Sequence, residues 1–177
     1  MGMDAYLFEV SEEGSERVSF WDLPKGMSIP DRMKEKFIFV DEEFLDLGKI
    51  CEEHGKTLED LNSFIPKGDV SILVFRDGSN VRLPDSELDK YSTTERVPYL
   101  HVRELDYKRW GYCSESIFAE GKHPFWDEVG FRSFFFSPEE MDEYTEYFQD
   151  PSEWLELKKR FEEELKKGKN VFVYVSY

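Results

Sequence analysis

Apolar positions along the chain come in short blocks whose period changes from two to about three and a half and back, which predicts strands and helices in irregular alternation. Ala5-Tyr6-Leu7-Phe8-Glu9-Val10 is rich in strand formers, Glu12-Glu13-Gly14-Ser15 reads as a turn, and Arg17-Val18-Ser19-Phe20-Trp21 follows. Together they predict an N-terminal hairpin. The stretch from Pro24 to Pro30 reads as a loop before a short strand at Phe37-Ile38-Phe39-Val40. Asp41 is placed to cap a helix to about His54, ended by Gly55. Thr57 with Asp60 predicts a shorter helix that Pro66 closes.

Val70 to Phe75 is a run of buried-strand type, and Asp77-Gly78-Ser79-Asn80 turns it towards Val81-Arg82-Leu83 as a second hairpin. Val97 to Tyr107 favours another strand, whereas Lys108 to Gly130 mixes Pro124 with several glycines and reads as irregular structure with short helical turns. Ser137-Pro138-Glu139-Glu140 combines an N-cap serine with a proline at the first helical position, and Asp150-Pro151-Ser152-Glu153 repeats that logic. Two successive helices are therefore expected, the second ending at Gly168. Val171, Val173 and Val175 then share one face of a last strand. The pattern predicts a single α+β domain over residues 1–177, an antiparallel or mixed sheet with helices packed on one face. The βαβ alternation of a doubly wound fold is absent from the sequence.

Composition narrows the function more than the fold. The chain carries 39 acidic residues against 23 Lys and Arg, a net charge of -16, which disfavours direct binding to nucleic acid or an anionic membrane and favours a cationic partner. No apolar run approaches the roughly 18 residues a membrane helix needs, and no basic start followed by an apolar stretch reads as a signal peptide. Tyr6 stands where N-myristoylation wants Ser or Thr. A cytoplasmic location is expected, and Cys51 and Cys113 give no disulfide framework.

Candidate chemistry is sparse. No Gly-rich phosphate loop, HExxH or EF-hand pattern occurs, and no cofactor is expected. Cys51 and His54 lie three apart on a predicted helix, and Cys113 and His123 complete a conceivable four-ligand zinc set. Against it, Phe44, Leu47 and Ile50 share the helix face of Cys51 and make that cysteine a core residue. A Cys113 nucleophile with His101 or His123 as base is the remaining covalent arrangement. These residues define the alternative reading, a Cys/His-dependent or metal-dependent hydrolase.

The stronger pattern is acidic. From Pro138 to Glu156 there are eight acids and no Lys or Arg. On one continuous helix Glu139, Asp142, Glu143 and Glu146 fall at i, i+3, i+4 and i+7 and form a stripe, which costs a few tenths of a kcal/mol per like-charged pair. The bland reading is a solvated face that keeps the protein soluble. Spread over a helix of about 28 Å, the acids would stand about 3.6 Å apart, near the phosphate spacing of DNA at roughly 3.4 Å. Pro151 breaks that run, and the next helix neutralises itself through Glu156 with Arg160, Glu162 with Lys166 and Glu163 with Lys167. Just upstream, Phe134, Phe135 and Phe136 cannot all point inward from a strand covered on one side, so at least one faces a covering helix or a partner. Glu139, Asp142, Glu143 and Glu146 with Phe134, Phe136 and Tyr147 are therefore the expected partner-binding residues, the acids steering a basic protein and the aromatics supplying short-range affinity.

Three segments carry a resemblance. Met1-Gly2-Met3-Asp4-Ala5-Tyr6-Leu7-Phe8 resembles the start of small phage and prophage proteins that open Met-Gly-Leu/Met-Asp-x-Tyr-Leu. Val102-Arg103-Glu104-Leu105-Asp106-Tyr107 with Lys108-Arg109-Trp110 is similar to their Glu-Leu-x-Tyr-aromatic-Arg-Lys segment, and Tyr174-Val175-Ser176-Tyr177 is loosely like their C-terminal strand. The resemblance implies a phage or mobile-element accessory protein that binds and inhibits or modulates a host protein such as a nucleic-acid enzyme or a toxin, in the host cytoplasm. It supplies no functional residue.

Overall fold

The computed structural model describes residues 2–20, 29–111, 118–119 and 132–176. The elements are β1 (Met3–Val10), β2 (Glu16–Ser19), α1 (Asp31–Lys34), β3 (Ile38–Leu45), α2 (Leu47–Glu53), β4 (Leu61–Lys67), β5 (Val70–Phe75), β6 (Asn80–Pro84), α3 (Asp85–Leu88), β7 (Ser92–Trp110), β8 (Arg132–Phe135), α4 (Pro138–Asp142), α5 (Ser152–Lys166) and β9 (Val171–Ser176). The fold is α+β, with antiparallel sheets and helices packed against them. The chain forms two compact units, Met1–Phe39 with Pro98–Tyr177, and Val40–Val97.

The larger unit is built on the strand order β2-β7-β1-β9-β8, and β3 also pairs with β7. One face of the sheet is covered by α4 and α5, where Trp154, Leu157, Phe161 and Met141 pack on Leu7, Val171, Val173 and Val175. The shared face predicted for the three valines is thus the core face. On the opposite face Phe8, Phe172, Phe134, Phe136 and Leu100 form a second cluster, closed over by Phe20 and by Met33 of α1.

The N-terminal hairpin does not form. β1 and β2 lie on opposite edges of β7, meeting it together at Val102, which is opposite Val10 on one side and Glu16 on the other. The intervening turn crosses the β7 backbone so closely that a Cβ on Gly14 would stand 2.4 Å from the Val102 carbonyl oxygen. Gly14 is needed for that crossing, which is why the turn residues point correctly to a reversal but not to its partner.

The smaller unit holds the order β4-β5-β6 around Leu73, Phe75, Leu83, Ile50, Cys51 and Tyr91. Two helix predictions are altered here: the first helix ends at His54 and Gly55 as expected but starts later, and the second shrinks to one turn. Residues 38–45 alternate half-buried with exposed positions, so Asp41 lies within β3 and the helix begins at Leu47, with Asp46 accepting from the Lys49 N–H at 3.0 Å. The capping box of Thr57 and Asp60 is present, yet it opens only a single 3₁₀ turn, Leu58–Asp60. Pro66 then sits inside β4, an edge strand that can lack an N–H donor, and Gly68 at φ 63° turns it into β5. The second predicted hairpin, β5 to β6 with Gly78 in its turn, is present.

Candidate functional site

Serine 137 stands at the N-cap of α4 in extended backbone, and Glu140 reaches back to accept from the Phe136 N–H at 3.1 Å. That carboxylate is therefore spent on closing the helix start. The helix runs only to Asp142, after which Thr145–Tyr147 forms a 3₁₀ turn. The stripe of four acids on one continuous helix is accordingly not formed. Like charges oppose continuation there, while turning the chain lets Phe148 stack on Trp154 at 5.1 Å between ring centroids.

The four acids divide into distinct roles. Asp142 meets Lys158 at 2.5 Å, and the carboxylate holds that ammonium's pKa above its ordinary value. Glu139 and Glu143 are exposed and form no ion pair among the described residues. Glu146 is exposed and engaged. Beyond the break, Asp150 accepts from the Ser152 side chain and N–H, which pulls its pKa down, and Glu156 pairs with Lys108 at 3.2 Å.

Of the aromatics expected to face a partner, Phe134 and Phe136 are 1% and 4% exposed and lie within the second core cluster. This corrects their assignment to a contact surface. Phe135 points the other way and meets Trp154 edge-on at 5.5 Å, so three successive phenylalanines are buried because the sheet is covered on both sides of β8. Tyr147 is half-buried against the helix-side core, with its ring 5.9 Å from Tyr144 and its carbonyl accepting from Ala119.

The ion pairs of α5 also differ from the sequence expectation. Arg160, Lys167 and Lys169 converge on Glu164 at 3.2, 3.0 and 2.8 Å. Hydrogen bonds from Lys169 and Lys167, with the charges of the two ammonium groups, bring that buried carboxyl down to about 2. Glu164 escaped sequence reasoning because the third glutamate of the run Glu162-Glu163-Glu164 looks like any solvated charge on a helix surface. Nearby, an open groove of about 510 Å³ is lined by Glu139 and Glu162 but also by Arg32 and Lys166, so its charge is balanced.

Cys51 is fully buried in the smaller unit, and burial pushes its thiol pKa up, opposite to what a nucleophile needs. His54 is exposed at the end of α2, its Nδ1 2.8 Å from the Ile50 carbonyl. Cys113 and His123 lie outside the described residues, as do Phe125, Trp126 and Phe131. Among the described residues no group of three His, Cys, Asp or Glu side chains is arranged to hold a metal ion, and no helix is long and apolar enough to cross a membrane.

A site that sequence reasoning missed lies on the open half of the sheet. Tyr107, Tyr6, Tyr174 and Phe134 are in register across β7, β1, β9 and β8. Their ring centroids follow at 5.0, 6.1 and 5.2 Å. Arg132 lies over the Tyr174 and Phe134 rings at 5.3 and 5.4 Å and donates to the Tyr174 hydroxyl at 3.1 Å. At the other end the Tyr107 hydroxyl donates to Asp4 at 2.6 Å, and Tyr107 is 38% exposed. The Tyr6 phenol has its pKa raised by burial first and then by the charges of Asp4, Glu104 and Glu16. The signal was available as three tyrosines at matching strand positions, but only the register brings them together. The three segments that carry the phage-protein resemblance are the three strands β1, β7 and β9 that supply them.

No family model matches the chain, and neither a curated protein nor a solved structure matches it.

Proposed function

We propose that this chain is an acidic binding protein that engages a basic protein and inhibits or modulates it, in the manner of a phage or mobile-element accessory protein acting on a nucleic-acid enzyme or a toxin. The observation that carries the reading is Glu139 and Glu143, exposed and without an ion pair among the described residues, on a segment of eight acids and no cation. Uncompensated carboxylates of this kind raise the association rate with a positive surface and lose that effect in salt. Both units add to the field. Val40–Val97 holds 14 acids against seven Lys and Arg, so the surplus is not confined to the acidic segment.

The test uses a basic protein recovered on the immobilised full chain and then purified. Charge reversal at Glu139 and Glu143, as Glu139→Lys with Glu143→Lys, is expected to weaken its binding at low salt by about tenfold or more, with a shallower salt dependence. Equal affinity of both chains at low salt would remove the acidic segment from the mechanism. Asp142 is left intact in this experiment because it is paired with Lys158.

A further inference from the structure

The tyrosine row shows an asymmetry between its two ends. At the β8 end a guanidinium, that of Arg132, already covers the rings of Tyr174 and Phe134. Its other donors are held by Ser19, with Nη2 2.8 Å from the carbonyl oxygen and Nη1 3.3 Å from Oγ. At the β7 end Tyr6 and Tyr107 continue the same row; no cation stacks on their rings among the contacts described, although the charge of Arg109 is near enough to act on the Tyr107 phenol. Instead carboxylates gather there. Asp4 accepts from the Tyr107 hydroxyl and is 3.7 Å from Arg109. Glu104 and Glu16 are exposed and form no ion pair among the described residues.

We propose that this end of the row, Tyr6 and Tyr107 beside Asp4 and Glu104, receives an arginine side chain from the basic partner, stacked as Arg132 is stacked on Tyr174. The assignment rests on the reading of the protein as a binder of a basic partner and names the chemistry of the contact. Tyr107 is part-exposed, and a planar guanidinium can stack on a tyrosine ring and bond to neighbouring carboxylates at its edge, whereas an ammonium matches only the charge. The negative charges that raise the Tyr6 phenol act on an incoming cation with the opposite sign, and favour it. Aromatic rings with polar tips at a half-open surface are the residues that dominate interface energies.

The probe is a hexa-arginine peptide, with hexa-lysine as the control, titrated into the full chain at low salt. Hexa-arginine is expected to bind more tightly than hexa-lysine. Tyr107→Ala is expected to weaken the arginine peptide about fivefold, the size of one exposed cation–π contact. Tyr107→Phe keeps the ring and is expected to keep the affinity, and Tyr107→Leu keeps the packing without the ring and should fail like the alanine. If peptide binding depends on Glu139 and Glu143 but all three Tyr107 variants match the parent, the row is not the contact and the general reading survives. If neither peptide binds at low salt, both fall together. Self-association of the parent chain that Tyr107→Ala abolishes would assign the row to a second copy and overturn the proposal.

Discussion

On one face of the large sheet Val171, Val173 and Val175 of β9 meet Trp154, Leu157 and Phe161 of α5, and all six are fully buried. On the other face the same strand presents Phe172, fully buried, and then Tyr174, half-buried. The strand register is shared, so the difference lies in the residue type. Aliphatic side chains, phenylalanines and tryptophans close the helix-side face, among them Phe135, Phe148, Phe161, Trp110 and Trp154. Tyrosine takes over where cover ends, because its ring can stack on neighbours while its hydroxyl stays wet. One face therefore stores stability, and the open half of the other is where a contact is proposed.

The strongest way to break this contrast is at Trp154. Its indole Nε1 donates to the Met141 carbonyl at 3.0 Å, and its ring packs against Phe135, Phe148 and Trp110. Trp154→Ala is expected to cost about 3–5 kcal/mol, since it opens a large cavity. Urea denaturation followed by circular dichroism measures it. A loss below about 1 kcal/mol would show that the helix-side face is not the one that holds the fold.

Much of that face was legible in the sequence. The Pro138 and Pro151 helix starts, the apolar spacing of Trp154, Leu157, Phe161 and Leu165, and the valine alternation of β9 all reappear, because local pattern and tertiary packing agree there. The acidic candidate site was legible only as composition. Glu139 and Glu143 remain exposed, but the helix that should have aligned them with Asp142 and Glu146 ends early, since burial of Phe148 outweighs local helix geometry. The tyrosine row was legible only as separate strand tyrosines. Tyr6, Tyr107 and Tyr174 are far apart in sequence, and no local signal states that β1 lies between β7 and β9. The failed predictions around Asp41 and Pro66 share one cause, a capping or breaking residue read without knowledge of the strand beside it.

A smaller effect is expected at Glu164, the carboxylate that fixes the end of α5 beneath three cations. Its folded pKa, about 2, lies below the ordinary value of 4.5. The stabilisation is therefore complete above about pH 4.5 and is lost as pH falls through about 2, because the unfolded chain takes up the proton first. Glu164→Gln is expected to lower stability by about 1–3 kcal/mol at neutral pH and to flatten the acid limb between those values. Identical pH profiles for parent and variant would assign the acid sensitivity to other carboxylates.

The smallest effect on stability is expected at Tyr107, where a contact with the partner is proposed. Its ring meets Tyr6 at 5.0 Å, and its hydroxyl bond to Asp4 is at the surface, where water replaces a lost partner. The hydrogen bond to Asp4, ahead of partial desolvation, raises the Tyr107 phenol, so the hydroxyl remains a neutral donor through the physiological range. Tyr107→Ala is accordingly expected to cost less than about 1 kcal/mol of folding stability. A loss on the scale of Trp154→Ala would mean that the open half of the sheet is part of the core, and the division between a storing face and a binding face would fail.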